Sequence, residues 1–263
     1  MSDLGNPTWR DLTSLQGRKV VMTGIASGIS KSAALLFASA GATIVGGDIN
    51  EAGGQETARE ITDLGGKAHF IPLDLGDGGS VDRFVLAVKN AVGAPDVIAN
   101  VAGWEQTGPF LDNAPDFWDK LVRINYTGPM RMIHGLLPAM IERAQGGRVI
   151  TVASDAGRVG SLGETAYAGT KGAIIAFTKS LAREMARYVI LCNVICPGPT
   201  NTPLFFGAIP NESLRSALIK AIPLKRLGEP IDVAAAIVFL ATPAAGFIHG
   251  QVLSVSGGLT MNG

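Results

Sequence analysis

Lys19-Val20-Val21-Met22-Thr23-Gly24-Ile25-Ala26-Ser27-Gly28-Ile29-Ser30 joins an apolar, β-rich run to a glycine turn and then to a helical pattern. Val20, Val21 and Met22 are apolar on consecutive positions rather than alternating, the mark of a strand covered on both faces. Val149-Ile150 repeats it further along. Glycines at 24 and 28 let the chain turn sharply and approach a pyrophosphate, whose charge is favoured by free N–H groups at a helix N-terminus. A plain glycine-rich turn is the alternative, but the strand before it and the helix after it weigh against that. Ser30 stands where a third glycine ordinarily lets helix and strand pack closely, which predicts slightly looser packing there.

The same alternation fills the chain. Strands are expected at residues 19–23, 43–48, 68–72, 97–100, 148–152, 191–195 and 251–255, and helices at 28–40, 51–64, 80–92, 117–143, 166–188 and 231–241. Strands separated by helices pair in parallel through right-handed crossovers. The expected fold is therefore α/β: a single Rossmann-type, doubly wound, seven-stranded parallel sheet flanked by helices. Residues 1–263 read as one domain, with a polar N-terminal tail at 1–17. The stretch from about 198 to 229 carries Pro199, Pro203, Pro210 and Pro223 and little periodicity, which predicts a substrate lid with a short helix at 211–221.

Composition excludes several classes. The 263 residues are 47% hydrophobic and 17% charged, so a large core is available and disorder is not. Lys plus Arg (22) equals Asp plus Glu (22), leaving no net field for nucleic acid. The longest apolar run, at about residues 234–241, falls far short of the roughly 20 that span a bilayer, so no membrane partner is expected. Residues 1–18 lack the pattern of a secretory signal, which makes a cytoplasmic location the expectation. Cys192 and Cys196 lie four apart on one strand, too far for a disulfide, and no His or further Cys completes a metal site.

Chemistry gathers at strand ends. Asp48, about 20 residues beyond Gly28 in Gly46-Gly47-Asp48-Ile49-Asn50, suits both ribose hydroxyls of adenosine and repels a 2′-phosphate, pointing to NAD over NADP. The other reading is that Asp48 or Asn50 caps the next helix. Only Arg59 is cationic between Gly41 and Gly66, which leaves little to build a phosphate site. Tyr167 and Lys171, at i and i+4 of a helix, share one face. Ser154 follows a central strand, where parallel sheets place their sites. Asn125 is a further polar candidate, although a mid-helix Asn most often faces water.

The order Thr23-Gly24 to Gly28, Asn100-Val101-Ala102-Gly103, Asn125, Ser154, Tyr167 to Lys171 and Pro197-Gly198 resembles the classical short-chain dehydrogenase/reductase family from about Gly17 onward. Ser30 and Val101 depart from its usual pattern. The resemblance implies that Tyr167 is the general acid/base, that Lys171 lowers its pKa and holds the nicotinamide ribose, and that Ser154 binds the substrate oxygen. Asn125 would hold a water linking Lys171 to solvent. It further implies cofactor contacts by Gly24, Ser27, Gly28, Ile29, Asp48 and Ile49 and by Asp74 and Leu75 beside the adenine. Asn100, Ala102 and Gly103 would line the ribose, with Tyr167 and Lys171 at the nicotinamide end. Pro197, Gly198, Thr200 and Thr202 would hold the carboxamide, although Thr202 also reads as a cap ahead of Pro203.

Trp104 and Glu105, residues 155–163 and the lid residues Leu204, Phe205 and Phe206 are expected to face the reacting carbon, with Trp104, Ser154 and Tyr167 as substrate contacts. Such a wall suits a medium-sized secondary alcohol or ketone. Residues 154–160, 196–200 and 250–261 are similar to the 2-hydroxycyclohexanecarboxyl-CoA dehydrogenases and, more distantly, to 3-oxoacyl-thioester reductases. Arg158 reads as a surface residue or as a partner for an anionic acyl group. A reductase using NADPH and a non-catalytic cofactor-binding regulator are the rival readings; the intact Asn125, Ser154, Tyr167 and Lys171 argue against the latter. The family also implies a homotetramer.

Overall fold

A computed structural model describes residues 7–209 and 211–261. Its centre is one parallel sheet of seven strands: β1 (Lys19–Thr23), β2 (Thr43–Asp48), β3 (Lys67–Pro72), β4 (Val97–Asn100), β5 (Gly147–Val152), β6 (Ile190–Pro197) and β7 (Val252–Val255). They lie in the order β3-β2-β1-β4-β5-β6-β7, so the winding reverses between β1 and β4. Crevices at such a reversal, beyond the carboxyl ends of the strands, are where open α/β sheets bind ligands.

The consecutive apolar residues of β1 are explained by two buried layers. Val20 and Met22 pack with Ala33, Ala34 and Phe37 of α2 (Gly28–Ser39) and with Val233, Ala234 and Ile237 of α11 (Pro230–Ala241). Val21 faces the other way, onto Phe84 and Val88 of α4 (Gly78–Val92) and Met132, Ile133 and Leu136 of α6 (Gly128–Arg143). β2 is kept thin for the same purpose. A Cβ on Gly46 would overlap Ile25, and one on Gly47 would meet Leu73 and Phe84.

The helix expected at 117–143 is present and carries one widened turn. α5 (Pro115–Val122) and α6 are joined by a π-turn, Arg123–Thr127, in which the Gly128 N–H donates to the Arg123 carbonyl. Such widened turns recur at functional sites because they redirect one side chain. Here that side chain is Asn125, which is buried rather than facing water. The expected lid holds α9 (Pro203–Ala208) and α10 (Glu212–Ala221), the latter capped by Asn211. Of the expected tail, residues 1–6 lie outside the described residues. The rest is integral: a short α1 (Trp9–Thr13) is followed by Leu15, 1% exposed, whose N–H donates to Ala40 O across 2.9 Å. The remaining helices are α3 (Glu51–Asp63), α7 (Ala156–Val159) and α8 (Thr165–Met185). No helix among the described residues is long and apolar enough to cross a membrane.

Candidate active site

A cleft of about 450 Å³ opens at the winding reversal. Gly24, Ser27, Gly28, Ile29, Asp48, Ile49, Asp74, Leu75, Ala102, Gly103, Trp104 and Thr202 line it. Gly24 (φ 84°) and Gly28 (φ 57°) hold the left-handed backbone that lets the loop fold back before α2. A Cβ at Gly24 would also crowd Ala102 at 3.1 Å. Asp48 is fixed from both sides: Ala26 N donates to Oδ2 (2.9 Å) and Asn50 N to Oδ1 (2.8 Å). Asn50, not Asp48, caps α3, its Oδ1 accepting from Gly53 N at 3.1 Å. The glycine cradle, the open first turn of α2 and a held carboxylate at the end of β2 together fit a dinucleotide.

Several expectations are corrected. Ser30 does not loosen the turn; its buried Oγ donates to Thr23 O (2.7 Å), replacing glycine's close approach with a bond from α2 to β1. Asn100 does not line the cleft. It sits behind Thr23, whose Oγ1 donates to Asn100 Oδ1 (3.2 Å) while accepting from Val101 N and Ala102 N, both 3.0 Å. Thr200 Oγ1 turns back to donate to Gly198 O (2.9 Å). Thr202 both lines the cleft and caps α9, accepting from Phe205 N at 3.2 Å. Arg158 is half-buried; its Nη1 donates to Ser254 Oγ (2.6 Å), and that hydroxyl is bonded to the buried Asp155.

Tyr167 and Lys171 project from the first turns of α8, and both are buried. Ser154, just beyond β5, stands close enough to Tyr167 to favour its phenolate, so the strand end and the helix face converge. Lys171 Nζ donates to Val152 O (3.0 Å) and lies 5.6 Å from the Tyr167 ring centre. Gly103 admits it, since a Cβ there would stand 3.1 Å from Nζ. The side-chain amide of Asn125 is engaged by the loop after β4. Its Oδ1 accepts from Trp104 N and its Nδ2 donates to Trp104 O, each at 2.8 Å. Its role in this geometry is to clamp the loop after β4 (Trp104 to Thr107) against the π-turn. The Trp104 ring then meets Phe117 edge-on and carries Lys120 Nζ 3.8 Å above its face.

The electrostatics also differ from expectation. The Tyr167 phenol is pushed well above its ordinary range, first by burial and then by the carboxyls of Glu105 and Glu164. Lys171 does not offset this in the protein alone. Its own pKa is lowered to about 8 by burial, with Glu105 acting in the opposite sense. Glu105 is raised to about 9, by burial and then by its hydrogen bond with Glu164. Glu164 was outside the stretch expected to face the substrate. Its one sequence signal is its place three residues before Tyr167, at the N-cap of α8. Cys192 and Cys196 are free, buried thiols pushed up to about 12 by desolvation.

Residues 24–260 match the family model described as enoyl-(acyl carrier protein) reductase. The chain is 34% identical to a 3-oxoacyl-[acyl-carrier-protein] reductase of Vibrio harveyi, over 94% of this chain and 99% of that protein. It is 33% identical to the (2S)-[(R)-hydroxy(phenyl)methyl]succinyl-CoA dehydrogenase subunit BbsD of Thauera aromatica, over 94% and 98%. The crystal structure of 3-ketoacyl-(acyl-carrier-protein) reductase from Brucella melitensis complexed with NADH superposes with a TM-score of 0.88 at 30% identity, covering 94% of this chain and all of that one.

Proposed function

The chain belongs to the short-chain dehydrogenase/reductase family, an oxidoreductase family acting on CH–OH groups with a pyridine nucleotide, and on that premise we propose an NAD-dependent enzyme interconverting a secondary hydroxyacyl thioester and its ketone. The observation that carries the reading is the convergence of Ser154, Tyr167 and Lys171 beside a cleft whose far end holds Asp48. Bound in that cleft, the nicotinamide supplies or accepts the hydride. Tyr167 holds the proton that reaches the carbonyl oxygen in reduction, and its raised pKa keeps that proton in place at neutral pH. Ser154 is placed to donate to the same oxygen as negative charge develops. Lys171 is placed to hold the ribose and to favour the phenolate once proton transfer begins. Asn125 acts as a positioning residue through Trp104.

NAD is preferred over NADP because the Asp48 charge is held in place by two backbone amides, and a 2′-phosphate would have to displace or oppose it. For the substrate, a cyclic hydroxyacid or its hydroxyacyl thioester is favoured by the sequence likeness of residues 154–160, 196–200 and 250–261 to the 2-hydroxycyclohexanecarboxyl-CoA dehydrogenases. A 3-oxoacyl-thioester reductase is the second reading, favoured by the Vibrio relative. The assembly we propose is a homotetramer. A largely apolar depression of about 780 Å³ on α6 and α8, bordered by Met130, Pro138, Ile141 and Phe177, lies away from the cleft and suits a second copy. Two unbonded thiols fit the cytoplasm.

The test is absorbance at 340 nm with NAD or NADP and secondary alcohols that include cyclic hydroxyacids and their thioesters. Turnover of a cyclic hydroxyacyl thioester with NAD is expected. Tight NADH binding without turnover of any alcohol or ketone would overturn the proposal.

A further inference from the structure

Asp155 takes no part in the steps above, yet it follows Ser154 directly and is buried, 4% exposed. A carboxyl out of water is costly unless hydrogen bonds hold it. Its Oδ1 accepts from Ser254 Oγ on β7, and that hydroxyl in turn accepts from Arg158 Nη1 at 2.6 Å. One serine of a distant strand thus bridges a carboxyl and a guanidinium that stand three residues apart on the turn after β5. The second oxygen, Asp155 Oδ2, is buried and meets no donor among the described residues, which makes the Ser254 bond the costlier to lose.

The turn that carries Ser154 is gripped from two sides. On the sheet side, Asp155 N donates to Pro197 O at 3.1 Å, at the end of β6, and Ser254 stands opposite Cys196 in the β6–β7 register. On the helix side, Ala156 shares one buried cluster with Tyr167, and a Cβ on Gly157 would lie 2.6 Å from the Lys171 backbone. Between these grips Ala156 N donates to Ser154 Oγ at 3.1 Å. That bond uses an acceptor position of the hydroxyl and fixes the direction of the side chain, leaving the O–H to be donated elsewhere.

Resting on the function proposed above, we propose that Asp155 and Ser254 are positioning residues, and that through their bond β7 sets the turn that aims the Ser154 hydroxyl at the substrate oxygen. A donor to a developing oxyanion is worth about 100-fold or more only where it meets the forming charge, and a small misplacement forfeits much of that. The Ser254 bridge holds the residue next to Ser154 to the one element of this corner that neither β5 nor α8 supplies. Arg158 completes the bridge by occupying the acceptor side of the Ser254 hydroxyl, so that its proton is directed to Asp155.

The test follows single-turnover hydride transfer from NADH at 340 nm, with the N-acetylcysteamine thioesters of 2-oxocyclohexanecarboxylate and 3-oxobutyrate as probes. Ser254→Ala, Ser254→Thr and Asp155→Asn are each measured alone and combined with Ser154→Ala. Ser154→Ala is expected to slow the step about 100-fold and Ser254→Ala about tenfold, with Ser254→Thr recovering most of that loss because it keeps the hydroxyl. Once Ser154 is gone there is no hydroxyl left to aim, so Ser254→Ala should then cost less than about twofold. NADH binding, read by fluorescence titration, should stay within about twofold of wild type in every variant, since the cleft-lining residues are unchanged. Asp155→Asn passes through the same cycle, so the outcome does not hang on one variant folding. A bridge that only supports the fold would slow both backgrounds equally, and such additivity overturns the proposal. So do unchanged rates in Ser254→Ala and Asp155→Asn. A wild type that reduces neither thioester nor any other ketone overturns the enzymatic reading, and this inference with it.

Discussion

The glycine loop after β1 and the carboxyl pair after β4 serve one site but are made of different things. The first is local. Gly24, Gly28 and the opening turn of α2 are neighbours in sequence, and their function follows from backbone conformation and an exposed helix end. Asp48 joins them through one strand register, since β1 and β2 pair from Lys19↔Thr43 to Thr23↔Gly47. The second is tertiary. Glu105 and Glu164 are 59 positions apart in the sequence and meet because two loops are stitched together at Gly108 and Gly163. The glycine loop is set by its own backbone, whereas the two carboxyls depend on how distant loops are tied. The lesson is that a feature built on local backbone is legible from sequence, and one assembled from separate loops is not.

The widest separation between the two regions should come from Tyr167→Phe. Turnover is expected to fall by about 10³-fold or more, because the proton has no other donor at that position. NADH binding, measured by fluorescence titration, should stay near the wild-type value, since the cleft lining is untouched. A near-normal rate would break the mechanism.

The next effect tests the glycine-loop side alone. Asp48→Ala removes the fixed charge while Ala26 and Asn50 lose only a partner for their amides. The ratio of kcat/KM for NAD over NADP is expected to fall about tenfold to 100-fold. An unchanged cofactor ratio would show that another group selects it.

What could be read from sequence follows the same division. The parallel seven-stranded sheet, the covered faces of β1 and the Tyr167–Lys171 helix face follow from short-range periodicity. Which way Asn100 turns was not legible, because its motif gives adjacency to the cleft and not the side-chain direction; Thr23 captures it. No sequence period announces the π-turn at Asn125, whose amide meets the Trp104 backbone. The tie between Arg158 and Ser254 was hidden because the two come from distant segments.

The carboxyl pair has a consequence for stability that the glycine loop lacks. Glu105 titrates near 9 in the folded chain and near an ordinary carboxyl value when unfolded, so between those limits the folded state holds the extra proton. Stability from this group is complete at low pH and is lost as pH rises toward 9. Glu105→Gln removes the dependence. Between pH 5 and 7, below the range where Lys171 discharges, the variant's melting temperature should rise relative to wild type by about 5 °C. A constant gap across that interval would mean that Glu105 is already ionised in the fold.

The smallest effect belongs to Ser30. Restoring the glycine usual at that position would be expected to tighten the turn if helix and strand were merely held apart by the side chain. In this fold the Ser30 hydroxyl instead ties α2 to the Thr23 carbonyl, and Thr23 in turn gathers Asn100, Val101 and Ala102. Ser30→Gly loses that bond and adds backbone freedom within the helix, each worth about 1 kcal/mol. The melting temperature should fall by about 3 °C, equally at pH 5 and pH 8, because no titrating group is involved. NADH affinity should weaken slightly as the β1 and β4 ends loosen together. A variant more stable than wild type would show that the serine is a tolerated obstruction rather than a tie.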